Sequence, residues 1–440
     1  MAAEIDSQEK EHQRLRQQVK ECTDIIHFHP NGQKYGDFNS ARAEPNQRLV
    51  RVFGIDNSFT STDQQWRSKF IRGMVAKMKA AITLESGHPG GNWENMRESA
   101  IASFEQYMSH AGSTLYFSEL VQFVTLQVSL YYLFDEAETA TANDGFEKVK
   151  YIGKRINELW IASKSEGNSG GIWSNDTRLH KALLEVTTMP PLPTMHIPGA
   201  FPSDADEEKD LTTDPHPSRL NPMNLLLPAY ETMWRVVLRC VLEMQYRNGE
   251  KSAEWNAVLK KYLDAQQDTD TMSDDVFWEA TENGVTAIDI IKETLRLYPP
   301  SRRIHRVFDG SSMSADIEAC QRSALLGQDD PLVFRPERWQ SICPELRARV
   351  FAGDKGAKKL LKTREEALGF MPFAFVCAAD RTETRGFGMK LIALLTAVIS
   401  DGLGERWVLR DERDLPGNGI PLNTNRQAYE GLRLRRNSEA

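Results

Sequence analysis

Cysteine is scarce in this chain: five in 440 residues, at Cys22, Cys240, Cys320, Cys343 and Cys377. The number is odd and no C-x-x-C pair occurs, so neither a disulfide framework nor a zinc ribbon is indicated, and a reducing compartment is expected. Positive charge is also short. Lys and Arg total 54 against 62 Asp and Glu, a net charge of −8, which excludes a general nucleic-acid binder. The most apolar stretch, Leu120–Phe134, is interrupted by Gln122 and Gln127 and is too short and polar to span a bilayer. The first residues, MAAEIDSQEKEHQRLRQQVK, contain no apolar core, so neither a signal peptide nor a membrane anchor is expected. The histidines show no H-E-x-x-H or paired spacing, and no phosphate-cradling glycine loop or dinucleotide fingerprint is present. A zinc site and direct binding of NADPH are therefore not expected.

What is present reads as globular, with 40% hydrophobic and 26% charged residues. Helical periodicity dominates: Leu120, Phe123, Val124, Val128, Leu130 and Tyr131 share one broad face. Further helices are expected at about 61–83, 95–108, 145–165, 177–187, 221–246, 254–264, 272–297 and 385–400. Strand signals are short, near 303–308, 406–410 and 430–434. The proline-rich segment 189–222, with its acidic stretch SDADEEKD, reads as a surface loop. The expected architecture is one large, mainly α domain with small β-sheets.

Three motifs carry chemistry. Glu293 and Arg296, in KETLRLYPP, lie at i and i+3 on one helix face and can pair, and Pro299-Pro300 stops that helix. About forty residues on, FRPERW (334–339) adds Arg338 on a proline-rigid turn. A Glu–Arg–Arg network becomes possible there, which fixes geometry more than it adds stability. Another forty residues on, the aromatic segment FMPFAFVC (370–377) ends in Cys377 just before a helical stretch. A metal and a helix N-terminus both stabilise a thiolate so placed.

ETLR, then FRPERW, then an aromatic loop carrying a cysteine, in this order and spacing, resembles the C-terminal half of a cytochrome P450 of fungal type. The resemblance spans roughly Leu49 to Leu434, behind an N-terminal segment 1–48. FGIDNSFTS (53–61) and NPMNLLLPAYETMWRVVL (221–238) also resemble stretches of fungal members. The resemblance implies an N-terminally shortened cytochrome P450 fold holding haem b (iron protoporphyrin IX). Cys377 would be the axial iron ligand, whose thiolate pushes electron density toward the metal. Glu293, Arg296 and Arg338 would form the structural network beside the haem. Phe370 and Phe373 would line the cofactor.

Arg306, ten residues after Arg296, is the expected partner of a haem propionate, whereas Trp66-Arg67-Ser68-Lys69 is not assigned that role. Glu231-Thr232, three residues after Pro228, resembles the acid–alcohol pair of an oxygen-binding helix, which relays protons to bound dioxygen. Pro228 cannot donate to the carbonyl of Asn224 and loosens the helix there. The implied activity is that of a haem-thiolate monooxygenase acting on a small lipophilic metabolite of fungal secondary metabolism. Electrons would come from NADPH–cytochrome P450 reductase or a similar flavoprotein. A monomer is expected, cytoplasmic or peripheral to the endoplasmic reticulum.

The cysteine loop departs from the family pattern. Glycine is usual four residues before the cysteine and two after, with a basic residue two before; here Phe373, Ala379 and Phe375 stand instead. Two alternatives follow. One is a degenerate P450-like protein without catalysis. The other is a reductase-independent haem-thiolate isomerase or dehydratase. The run Lys355, Lys358, Lys359, Lys362 and Arg364 reads either as a solvated helix face or as a docking face for an acidic reductase.

Overall fold

The computed structural model describes residues 2–82, 93–134, 143–164, 173–187, 217–266, 274–279, 284–374, 377–380, 384 and 386–437. Of the proline-rich segment, 189–216 lies outside the described residues. Helices dominate. Phe117–Leu133, the stretch with the broad apolar face, is buried along almost its whole length and lies between helices Trp93–His110 and Asn143–Ala162. Helix Phe387–Leu403 runs through the centre, against Met233–Val241, Gly249–Ala265 and Ala287–Leu297. The stretch Phe387–Arg406 is long and apolar enough to cross a membrane, yet 78% of its apolar window is buried inside the protein. Its apolarity is that of a core helix enclosed on all sides.

The sheets are small. Strand β1 (Thr114–Tyr116), β4 (Trp407–Leu409) and β5 (Arg433–Arg436) form an antiparallel sheet in the order β1-β5-β4. Strands β2 (Arg303–Phe308) and β3 (Ser311–Asp316) form a separate hairpin, pairing Arg303 with Asp316 through Phe308 with Ser311. Asp309 and Gly310, both at positive φ, make its two-residue turn.

The expected secondary structure is corrected in two places. Residues 272–297 form two helices, Asp274–Trp278 and Ala287–Leu297, rather than one. The second starts at a capping box in which Thr286 and Asp289 satisfy each other's backbone N–H groups. β1 had no strand signal because it is only three residues long, and β3 because its residues are mostly exposed and polar or small. Within the N-terminal segment 1–48, helix Ala2–Ile26 buries Val19, Cys22, Ile25 and Ile26 against Phe308, Ile317, Cys320 and Met371. Its polar majority hid that narrow apolar edge.

Candidate functional site

Every residue of helix Ala287–Leu297 is buried, including four charged ones. Each of the four is paired. Asp289 accepts both forks of Arg347 at 2.7 and 2.8 Å, and Lys292 donates to Glu365 at 2.5 Å. Glu293 is met from all sides. Its Oε1 accepts from Arg296 Nη2 at 2.8 Å, Arg338 Nε at 2.9 Å and the Arg335 backbone N–H at 2.9 Å. Its Oε2 accepts from Arg296 Nε at 2.9 Å and Trp339 Nε1 at 3.1 Å.

The remaining guanidinium donors find backbone carbonyls and, for Arg338 Nη1, also the Asp330 carboxylate at 2.9 Å. Arg296 reaches Pro331 and Val333, and Arg338 reaches Gly327, Asp330 and Val333. Burial alone would raise the Glu293 carboxyl, but the fields of Arg296 and Arg338 and these hydrogen bonds hold it below the usual carboxylate range. The structure thus brings Glu293, Arg296 and Arg338 together as a closed network. Sequence reasoning missed the Asp289–Arg347 and Lys292–Glu365 pairs, because their partners lie 58 and 73 residues away.

The cysteine loop starts against this network. Phe370 meets Trp339 edge-on at 4.8 Å, so it covers the Glu293 cluster. The Met371 N–H donates to Gln321 Oε1 at 2.9 Å. Phe373 is half-buried and packs on Gly388, at the start of the central helix, alongside Ala379. Ala374 adopts a left-handed φ of +51°, a conformation in which glycine would be unstrained. Residues 375 and 376 lie outside the described residues.

Cys377 is half-buried and opens a short turn, Ala378–Asp380, before Gly386 and the central helix. Fully buried Tyr132 lies beside it: burial, and then the field of Cys377, push that phenol up. Phe387 meets Tyr132 edge-on at 5.1 Å and stacks on Trp93 at 5.7 Å. The cysteine therefore sits against an aromatic wall.

Helix Gln64–Ala80 also packs on the turn after Cys377, and it carries Arg67, whose guanidinium joins those of Arg306 and Arg42. Arg306 is buried, over the Phe28 ring at 4.7 Å, and Arg42 is buried beside Asn39. Burial, then repulsion from Arg67 and Arg306, pushes Arg42 down to about 9; burial, then Arg67, pushes Arg306 down to about 10. The Nε atoms of Arg42 and Arg306 are buried with no acceptor among the described residues. Neither has a carboxylate partner there. Arg67 follows Trp66, a pair that sequence reasoning noticed and set aside. Arg42, in a polar segment, carried no signal.

The second half of the site is helix Met223–Tyr230, a turn at Glu231 and Thr232, then helix Met233–Val241. Pro228 cannot satisfy the Asn224 carbonyl, and Asn57 does so instead, its Nδ2 donating at 3.2 Å. Asn224 Oδ1 accepts the Asp56 N–H at 2.8 Å, and Asn221 donates to Phe53 O at 2.8 Å. The segments 53–61 and 221–238 thus form one wall. Thr232 Oγ1 donates to Pro228 O at 3.2 Å. Glu231, fully buried, forms ion pairs with Arg426 and with Arg235, the latter at 3.6 Å. An open depression of about 550 Å³ near Arg247, Glu412 and Arg435 contains none of the sequence-predicted site residues.

No family model and no curated protein matches the sequence. Among solved structures, the chain is similar to a variant of the cytochrome P450DA heme domain, with a TM-score of 0.57 and 17% identity over 90% of this chain and 82% of that one. It is also similar to a variant of cytochrome P450 OleT in complex with arachidonic acid, with a TM-score of 0.49 and 12% identity over 88% and 81% of the two chains. At such identities the likeness is one of fold. The chain has the cytochrome P450 fold.

Proposed function

We propose that this protein is a haem-thiolate oxidoreductase, with Cys377 as the iron ligand. The observation that carries the reading is the pair Arg42 and Arg306, both buried without a carboxylate partner among the described residues and facing Arg67, whose helix packs on the turn after Cys377. Burying like charges is costly unless anions meet them, and haem brings two carboxylates. The residues present fit that group: a cysteine against aromatic rings, and cations for the propionates on a neighbouring helix and on β2. Bound haem supplies the oxidation chemistry.

The chain does the rest. The Glu293 network clamps the segment 330–339 and, through Trp339 and Phe370, the start of the cysteine loop. Arg306, Arg42 and Arg67 hold propionates. Leu226 and Tyr230, with the 53–61 segment locked to them through Asn57, are the residues that would face a small lipophilic substrate. Glu231 and Thr232 are the candidate groups for moving protons. The exposed run Lys355, Lys358, Lys359, Lys362 and Arg364 lies on helix Lys355–Ala367 and suits an acidic flavoprotein donor. A role in fungal secondary metabolism rests on the sequence resemblance alone.

One observation favours a second reading. The Thr232 hydroxyl is turned to the Pro228 carbonyl, and the Glu231 carboxylate lies beside Arg235 and Arg426 and accepts no hydrogen bond among the described residues, so the acid and the alcohol are not joined as a relay. A haem-thiolate reaction that needs no reductase is the alternative. The test is optical. The protein loaded with hemin, reduced and exposed to carbon monoxide, shows a thiolate-type Soret band, and Cys377→Ala loses it. A thiolate spectrum surviving in that variant refutes the assignment. Turnover that depends on NADPH and a reductase supports the monooxygenase, and turnover without them supports the second reading.

A further inference from the structure

A second group of cations lies where the helix break places Glu231, and nothing said so far uses it. It is assembled from five separate parts of the chain. Arg48 comes from helix Gln47–Phe53, Lys164 from the end of helix Asn143–Ala162, and Arg235 from helix Met233–Val241. Arg302 precedes β2, and Arg426 lies in the segment before β5. One indole organises two of them: the guanidinium of Arg426 lies 4.0 Å and that of Arg48 5.1 Å from the Trp160 ring centre. Arg48 Nη1 donates to Ser163 Oγ at 2.5 Å, next to Lys164.

Carboxylates are too few to neutralise these five cations. Glu231 pairs with Arg235 and Arg426, and Glu318 pairs with Arg302 at 2.6 Å. Arg48 and Lys164 have no acidic partner among the described residues. The crowding is felt at Lys164, whose ammonium is lowered to about 8 by desolvation and then by Arg426, Arg48, Arg235 and Arg302. Arg426 is pushed well down by burial and then by Arg48. Beside Arg426 stands the Tyr230 hydroxyl, fully buried, with no hydrogen-bond partner among the described residues. An uncompensated cluster of this kind, at a buried hydroxyl, is a ready site for an anion with a flat, forked acceptor.

We propose that Arg48, Lys164, Arg235 and Arg426 form the recognition site for the carboxylate of an otherwise lipophilic substrate. This rests on the reading above that the 53–61 and 221–238 segments line the reaction chamber. The chain of such a substrate lies along Leu226 and the apolar wall, and its acid group lies on the cations. The acid thereby fixes which carbon of the chain faces the site of oxidation.

Calorimetric titration of the purified protein with dodecanoate and with dodecanol tests this at neutral pH. Dodecanoate is expected to bind at least tenfold more tightly, and that advantage is expected to shrink as salt is raised. Arg48→Gln and Lys164→Gln, two separate perturbations of which the second is solvent-exposed, should each cut the acid-over-alcohol ratio several-fold. Equal binding of acid and alcohol overturns the proposal, as does an unchanged ratio in both variants. Preference for dodecyl phosphate with no binding of dodecanoate overturns the carboxylate assignment. The titration does not depend on iron chemistry. A protein that prefers the acid but shows no thiolate Soret band would refute the haem-thiolate reading and leave the anion site standing. A thiolate band without acid preference would do the reverse.

Discussion

Replacing Glu293 by glutamine is the sharpest test of the closed network. The carboxylate accepts five hydrogen bonds, four from side chains and one from the Arg335 N–H. Glutamine keeps the shape but loses the charge, and turns an NH₂ group toward donors on one side. At least two hydrogen bonds are lost, fully buried Arg296 loses its counter-ion, and fully buried Arg338 keeps only Asp330. Breaking a buried pair from one side costs about 3–5 kcal/mol.

For a 440-residue chain the unfolding entropy is roughly 0.9 kcal/mol/K, so each kcal/mol moves Tm by about 1 °C. Scanning calorimetry of Glu293→Gln should therefore show Tm lower by about 3–5 °C at neutral pH. The folded carboxyl titrates below its ordinary value of 4.5. Its contribution is thus complete above that pH and is lost as the pH falls through the lower folded value. The gap between variant and wild type should stay flat above that point and narrow in acid. A Tm change under about 1 °C at neutral pH, or a gap that widens in acid, refutes the reasoning.

Other expectations concern the wall and the cofactor end. Asn57→Ala strands the buried Asn224 carbonyl and should cost about 1–2 kcal/mol in urea unfolding; in a Pro228→Ala background, where residue 228 can donate to that carbonyl, the cost should fall by about 1 kcal/mol. An equal cost in both backgrounds would show that Pro228 is not why Asn57 is needed. Arg42→Gln and Arg306→Gln should each stabilise the haem-free protein by about 1 kcal/mol, raising its melting temperature by about 1 °C, since each relieves repulsion within the cluster. Hemin retention should weaken about tenfold in the same proteins, and a loss of stability together with unchanged hemin retention would argue against the propionate role. Ala374→Gly removes a left-handed non-glycine residue from the cysteine loop. It should stabilise the protein by about 0.5–1 kcal/mol after the extra freedom of glycine in the unfolded chain is counted, and a destabilised variant would mean that the methyl group's packing outweighs the strain.

How much of this was readable beforehand varies with the range of the interaction. Glu293 and Arg296 sit one helical turn apart, so their pairing follows from periodicity alone, and FRPERW with the cysteine segment supplied Arg338 and Cys377 by motif order. Pro228 announced an unsatisfied carbonyl. That Asn57 would meet it was not readable, because the contact spans 167 residues.

The sequence by itself determined the helix-rich class, the broad apolar face of 117–133, the broken helix at Pro228 and the acid and arginines that would seek one another. Those are matters of local spacing and of residue chemistry. Only the tertiary structure decided which charges share a space: Arg42 with Arg67 and Arg306, and Arg48 with Lys164, Arg235 and Arg426. It also turned Glu231 toward two arginines and away from Thr232. Charge repels or attracts through space, over distances that chain separation does not encode, so a lone arginine in a polar segment carries no mark of its eventual neighbours until the chain has folded.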